Sequence, residues 1–169
     1  MSEDKKILVI GYGNPAREDD GLGPAAADAV AGMKLKNVTV DSDYQLMVED
    51  AADVAKHDAV VFIDADIAGR EPFSFKRVKP GSSMSFSTHS ATPEGVVSLA
   101  QELFHAKCEA YILGIRGYSF EMYTETCTKK ARENLKEALG FLKLILESGG
   151  LAEAVTKVQC KTTGNRSIT

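Results

Sequence analysis

The chain has no tryptophan and only three cysteines, Cys108, Cys127 and Cys160, with no CxxC pair among them. An odd, scattered set of thiols excludes a disulfide framework and suits a reducing compartment. Long apolar runs are missing too. The longest uncharged ones are strand-sized pieces such as 7–10 and 59–63, whereas a membrane-crossing helix needs about 20 apolar residues. A signal peptide would join a basic segment to a longer apolar stretch than any near Met1, so the cytoplasm is the expected location. No block of like charge stands out at a net charge of −4, and without a basic face nucleic acid is not an expected partner. The HExxH signature of helix-borne zinc proteases and the GxSxG elbow of serine hydrolases are also absent.

What is present is enough apolar material for one real core, with 169 residues, 44% hydrophobic and 26% charged. There is no internal repeat and no interior Pro-, Gly- or Ser-rich linker, so residues 1–158 read as one domain. Residues 159–169 lose apolar content and read as a fraying tail. Val- and Ile-rich runs at 6–11, 37–41, 59–65 and 110–116 predict buried strands. Two more are expected at 73–79 and 84–88, joined as a hairpin through Pro80-Gly81. Helices are predicted between them at 24–33, 45–56, 92–106 and 127–148. Thr92-Pro93-Glu94 opens the third, and Ala131, Leu135, Leu139, Leu142 and Leu146 form the apolar stripe of the last. Strands alternating with helices imply an α/β fold, a three-layer α/β/α sandwich around a mostly parallel, twisted sheet. Ligands then belong beyond the carboxyl ends of the strands.

The first strand runs into Gly11-Tyr12-Gly13-Asn14-Pro15-Ala16-Arg17-Glu18-Asp19-Asp20-Gly21-Leu22-Gly23-Pro24. Gly11, Gly13 and Ala16 satisfy a loose dinucleotide fingerprint, which makes a nucleotide-dependent enzyme one alternative. Against it, the following helix is postponed to about Pro24, and Glu18, Asp19 and Asp20 crowd the place a diphosphate would take. Two like charges ~4 Å apart repel by roughly 4 kcal/mol at an effective dielectric of 20. The loop therefore favours a cation. These acids also suit the positive end of the next helix, which is their structural alternative. Two neighbouring acids are not expected to face inward together. Asp20, beside Gly21, is the better candidate to point at a ligand.

Two other strand ends match this chemistry. Val60-Val61-Phe62-Ile63 runs into Asp64 and Asp66, and a carboxylate ending a core strand needs a hydrogen bond, a cation or a role in chemistry. Ser87-Thr88-His89-Ser90 places a histidine between a predicted strand and a predicted helix. Each has a plain structural alternative as a cap, a solvated acid or a satisfied polar group. Asp20, Asp64 and His89 nevertheless converge on one edge of the sheet. Two carboxylates and an imidazole suit a borderline divalent metal such as nickel, zinc or cobalt, with open positions for water or a peptide carbonyl. His57, the His105–Cys108 pair and Cys127 read as packing.

Together these motifs resemble the hydrogenase maturation endopeptidases. The resemblance rests on Ile7-Leu8-Val9-Ile10-Gly11-Tyr12-Gly13-Asn14 with Asp19-Asp20-Gly21-Leu22-Gly23. Val61-Phe62-Ile63-Asp64-Ala65-Asp66, Thr88-His89-Ser90 and Leu113-Gly114-Ile115-Arg116 extend it. It implies an endopeptidase of the kind classed as aspartyl-type, removing the C-terminal extension of a nickel–iron hydrogenase large-subunit precursor. It further implies metal-site positions at Asp20, Asp64 and His89, a monomer, and nickel supplied by the substrate as the recognition element. No organic cofactor and no Ser or Cys nucleophile is expected, and the catalytic group is left unassigned. A metal-sensing chaperone that binds a hydrogenase subunit without cutting it is the remaining alternative. The segment 114–121 fits either of two roles, choosing the hydrogenase or ordinary packing.

Overall fold

The computed structural model describes the backbone of residues 4–81 and 91–163, with side chains described as far as Val158. Among the described residues five strands form one sheet: β1 (Ile7–Tyr12), β2 (Val38–Asp43), β3 (Ala59–Asp66), β4 (Phe73–Arg77) and β5 (Glu109–Arg116). Their spatial order is β2-β1-β3-β5-β4. The first four in that order are mutually parallel, and β4 closes the row antiparallel to β5. The hairpin expected at Pro80-Gly81 would pair β4 with 84–88, which lies outside the described residues.

The sheet is apolar on both faces because both are covered. Ile7, Val9, Val61, Ile63, Leu113 and Ile115 point to one side. There they meet α1 (Leu22–Gly32), α4 (Lys129–Ser148) and α5 (Leu151–Thr163). Leu8, Ile10, Val60, Phe62 and Ala110 point to the other, against α2 (Asp50–Ala55) and α3 (Pro93–Phe104). This is the three-layer sandwich that the alternation of strands and helices predicts.

Local chemistry sets the helix ends. Thr92 Oγ1 accepts from the Gly95 amide at 3.1 Å, with Pro93 in the first turn, as its sequence indicates. Gly149 at φ 71° ends α4. Two stretches differ from expectation. Only the second half of 45–56 is helical, because the Asp50 carboxylate takes the Met47 amide at 2.8 Å and holds the preceding residues in a turn. Beyond Gly150 the chain is helical again, with Leu151 and Ala154 buried and Val155 and Val158 packed against the same core. This α5 reaches Thr163, into the segment expected to fray.

Candidate metal and peptide site at the carboxyl edge

The β1–α1 connection is an interlock of glycines. A β-carbon on Gly11 would lie 2.2 Å from the Gly23 carbonyl oxygen, and one on Gly23 would lie 2.2 Å from the Tyr12 oxygen. Helix α1 can therefore start directly against the ends of β1 and β3. Gly13, at φ 144°, leaves room that the Asp20 carbonyl fills, 2.1 Å from where a β-carbon would be. The space a dinucleotide fingerprint keeps for phosphate is thus occupied by the chain itself. A single 3-10 turn, Glu18–Gly21, precedes α1 and carries all three acids.

That turn resolves the question of the adjacent acids. A 3-10 helix advances about 120° per residue, so neighbours leave in different directions. Asp19 is fully buried. Its Oδ2 accepts from the Tyr118 amide at 2.8 Å, the Ser119 amide at 3.1 Å and the Thr128 hydroxyl at 2.9 Å. Its Oδ1 accepts from the Thr128 amide at 2.7 Å, at the N-cap of α4. The expectation that only one of the pair turns inward fails because the two turn to different partners. Sequence reasoning missed Asp19's role, since all four donors lie about a hundred residues away.

Asp20 is half-buried. Its Oδ2 accepts from the Asn14 amide at 2.9 Å and stands 3.9 Å from Arg17 Nη1. Asp64, at the end of β3, is partly buried and close enough to Asp20 to feel its charge. Burial, and then the charges of Asp20 and Asp66, push the Asp64 carboxyl up to about 6 against the pull of the Ala65 amide and Tyr12. The Tyr12 hydroxyl faces Asp64 as a donor. Burial and the charges of Asp64 and Glu94 push its own ionisation far up, so it keeps its proton. Asp66 is spent locally, its Oδ1 accepting from the Ala68 amide at 3.1 Å.

The fold thus places Asp20 within reach of the Asp64 charge, whereas His89 lies outside the described residues. Among the described residues, no three His, Cys, Asp or Glu side chains gather as a metal site. The two carboxylates supply hard oxygen donors with excess negative charge, which a divalent cation would relieve. Of the groups read as packing, His57 and the two described cysteines behave so, whereas His105 is exposed at the left-handed C-cap of α3. His57 Nδ1 lies 2.7 Å from the Asp53 carbonyl and Nε2 lies 3.1 Å from Thr39 Oγ1. Burial pushes the Cys108 thiol up to about 12 and raises Cys127 as well, the reverse of nucleophile activation.

The segment after β5 folds over this edge. Tyr118 and Ser119 close on Asp19, and the Ser119 hydroxyl donates to Glu18. A β-carbon on Gly117 would come within 3.0 Å of Asp19. Of the two roles for 114–121, packing is the one this geometry fills. Further along, the Thr124 amide donates to the Ala16 carbonyl at 3.1 Å and its carbonyl accepts from the Glu18 amide at 2.7 Å.

No protein-family model and no curated protein matches the chain in sequence. Solved structures do match in shape. The nickel–iron hydrogenase maturation protease HycI from Thermococcus kodakarensis KOD1 superposes with a TM-score of 0.68 at 23% identity, over 86% of this chain and 95% of that one. The hydrogenase 2 maturation peptidase from Thaumarchaeota archaeon SCGC_AB-539-E09 gives 0.61 at 22% identity, over 87% and 99%. The hydrogenase maturating endopeptidase HybD from E. coli gives 0.60 at 20% identity, over 85% and 94%. At these identities the likeness is one of fold.

Proposed function

We propose that this chain is a hydrogenase maturation endopeptidase. In this reading it removes the C-terminal extension of a nickel–iron hydrogenase large-subunit precursor after nickel insertion, acting as a cytoplasmic monomer. The observation that carries the reading is the pairing of Asp20 and Asp64 at the carboxyl edge of a sheet whose fold matches such proteases. The nickel belongs to the substrate. Asp20 and Asp64 offer it oxygen donors, and His89 is the proposed third ligand.

The chemistry needs no protein nucleophile. In the metal-free chain burial holds the Asp64 carboxyl up to about 6, and a cation at the site would draw it back to the carboxylate that accepts a proton. Asp64 takes a proton from a water as that water's oxygen adds to the scissile carbonyl carbon. The C–N bond then breaks, and the proton passes to the leaving amine. Tyr12, which keeps its proton, orients the Asp64 carboxylate. Nickel, if held by these residues, would supply Lewis-acid polarisation of the water or the carbonyl.

Mass spectrometry of a nickel-loaded large-subunit precursor, before and after incubation with this protein, tests the proposal. The expected result is loss of a C-terminal peptide from that form and not from a nickel-free control. Binding of the precursor with no change in mass would replace the protease with a metal-sensing chaperone. A rise in melting temperature with NAD or ATP would favour the nucleotide alternative instead.

A further inference from the structure

The large apolar side chains left exposed among the described residues are unevenly placed. Leu103, Phe104 and Leu144 lie in the later turns of α3 and α4. Tyr44, Met47, Val48, Ile67, Met122 and Tyr123 instead sit on segments leaving the carboxyl ends of β2, β3 and β5. That is the edge that carries Asp20 and Asp64.

Tyr123 is the clearest member. It is 90% exposed, and its backbone is left-handed at φ 64°, a conformation that disfavours any residue with a β-carbon. The next residue, Thr124, is tied through both its amide and its carbonyl to the 16–18 segment. A large ring is thus held out in water on a firm base, joined to the loop that bears Asp20. Solvated in this way it adds little to the core, and its strain is unrepaid within the chain. Rigid, preorganised aromatic groups of this kind serve as anchors in protein interfaces.

The charge near part of this surface is acidic. Asp41, Asp43, Glu49 and Asp50 lie close in sequence to Tyr44, Met47 and Val48, while beside Met122 and Tyr123 the acids Glu121 and Glu125 are joined by Arg17, whose backbone bridges Thr124. None of these six acids forms a salt bridge among the described residues. The Asp50 carboxyl is raised, chiefly by burial and further by the charges of Asp41, Asp43 and Asp53. A partner bringing lysine or arginine would relieve that repulsion.

We propose that these six apolar side chains form a docking surface for a polypeptide segment carrying apolar and basic residues, which leads its scissile peptide onto the Asp20–Asp64 pair. The inference rests on the protease reading, which makes the occupant the stretch of large-subunit precursor flanking the cut.

The test uses the full chain and the nickel-loaded precursor from the same organism. Interferometry follows association and mass spectrometry follows trimming. Two double variants, Tyr123→Ala with Met122→Ala and Tyr44→Ala with Met47→Ala, should each raise Kd and KM at least tenfold. Their kcat should stay within twofold and their melting temperature near wild type. Tyr123→Phe should restore binding. Tyr123→Gly removes the backbone strain, so it should melt slightly higher while binding as weakly as the alanine variant. Association should weaken with salt, and Asp41→Asn with Asp43→Asn should flatten that dependence. Unchanged Kd and KM in both double variants would overturn the docking surface, with wild-type trimming leaving the protease reading intact. Precursor bound through this face but never trimmed would keep the surface and remove the protease reading. A wild type that neither binds nor trims overturns both.

Discussion

Asp19 and Asp20 with Asp64 belong to neighbouring regions that treat a carboxylate in opposite ways. Around Asp19, four donors from two distant segments close on a fully buried group. Around Asp64, burial is joined by the negative charges of Asp20 and Asp66, and the carboxyl is pushed up to about 6. A carboxylate ringed by donors holds structure together, whereas one crowded by burial and like charge is held at a cost and is available to a cation or a proton. Adjacent residues in one 3-10 turn serve both ends of that contrast.

The largest effect that could break the contrast is on activity. Asp64→Asn should reduce trimming of the nickel-loaded precursor by at least a thousandfold, read by mass spectrometry, while the chain remains folded. The same variant should stabilise the metal-free protein, with a definite sign in pH. Asp64 prefers its proton in the folded chain, at about 6 against its ordinary 3.8. Its contribution is therefore intact below about 4 and is lost as pH rises through 6. Asp64→Asn should raise stability by roughly 1–3 kcal/mol at pH 7–8 and by nothing near pH 4. Thermal melts in chelator at both pH values decide this; a lower melting temperature at pH 8 would show that Asp64 is structurally satisfied after all.

Asp19→Ala should do the reverse. It strands four donors and should cost about 3–5 kcal/mol, a fall of ~10 °C in melting temperature. Thr128→Val sharpens the comparison, since it removes one donor to Asp19 and the side-chain acceptor that caps α4 at 3.3 Å. Its expected cost is about 1–2 kcal/mol by urea denaturation. The smallest effect is a control remote from both regions. Gly140 lies inside α4, and nothing stands within 4 Å of where its β-carbon would be. Gly140→Ala should add about 0.5–1 kcal/mol without altering trimming.

Much of the fold was legible because its signals are local. The strands are buried on both sides and so appear as unbroken Val and Ile runs, and Thr92-Pro93 and Gly149 mark helix ends by their own chemistry. Helix α5 was not legible, since its apolar residues are few and its burial depends on β4 and α4 being in place. The same division runs through the site. Asp20 and Asp64 were readable as acids at strand ends. Asp19's role was not, because its neighbours in sequence give no hint of Tyr118, Ser119 and Thr128. The docking residues were missed for a related reason. Exposure of an apolar side chain is a property of the finished surface, and Tyr123 carries no motif.

The clamp on Asp19 also bears on synthesis. The turn that bears Asp20 lies near the amino end of the chain, but the groups that fix its shape arrive with residues 118–128. Strand β5, which flanks β3 in the sheet, arrives only just before them. A nascent chain can collapse around β1, α1 and β3 early, yet its acidic turn has no mould until the start of α4 has left the ribosome. The acidic turn therefore takes its final shape only once donors made about a hundred residues later have reached it.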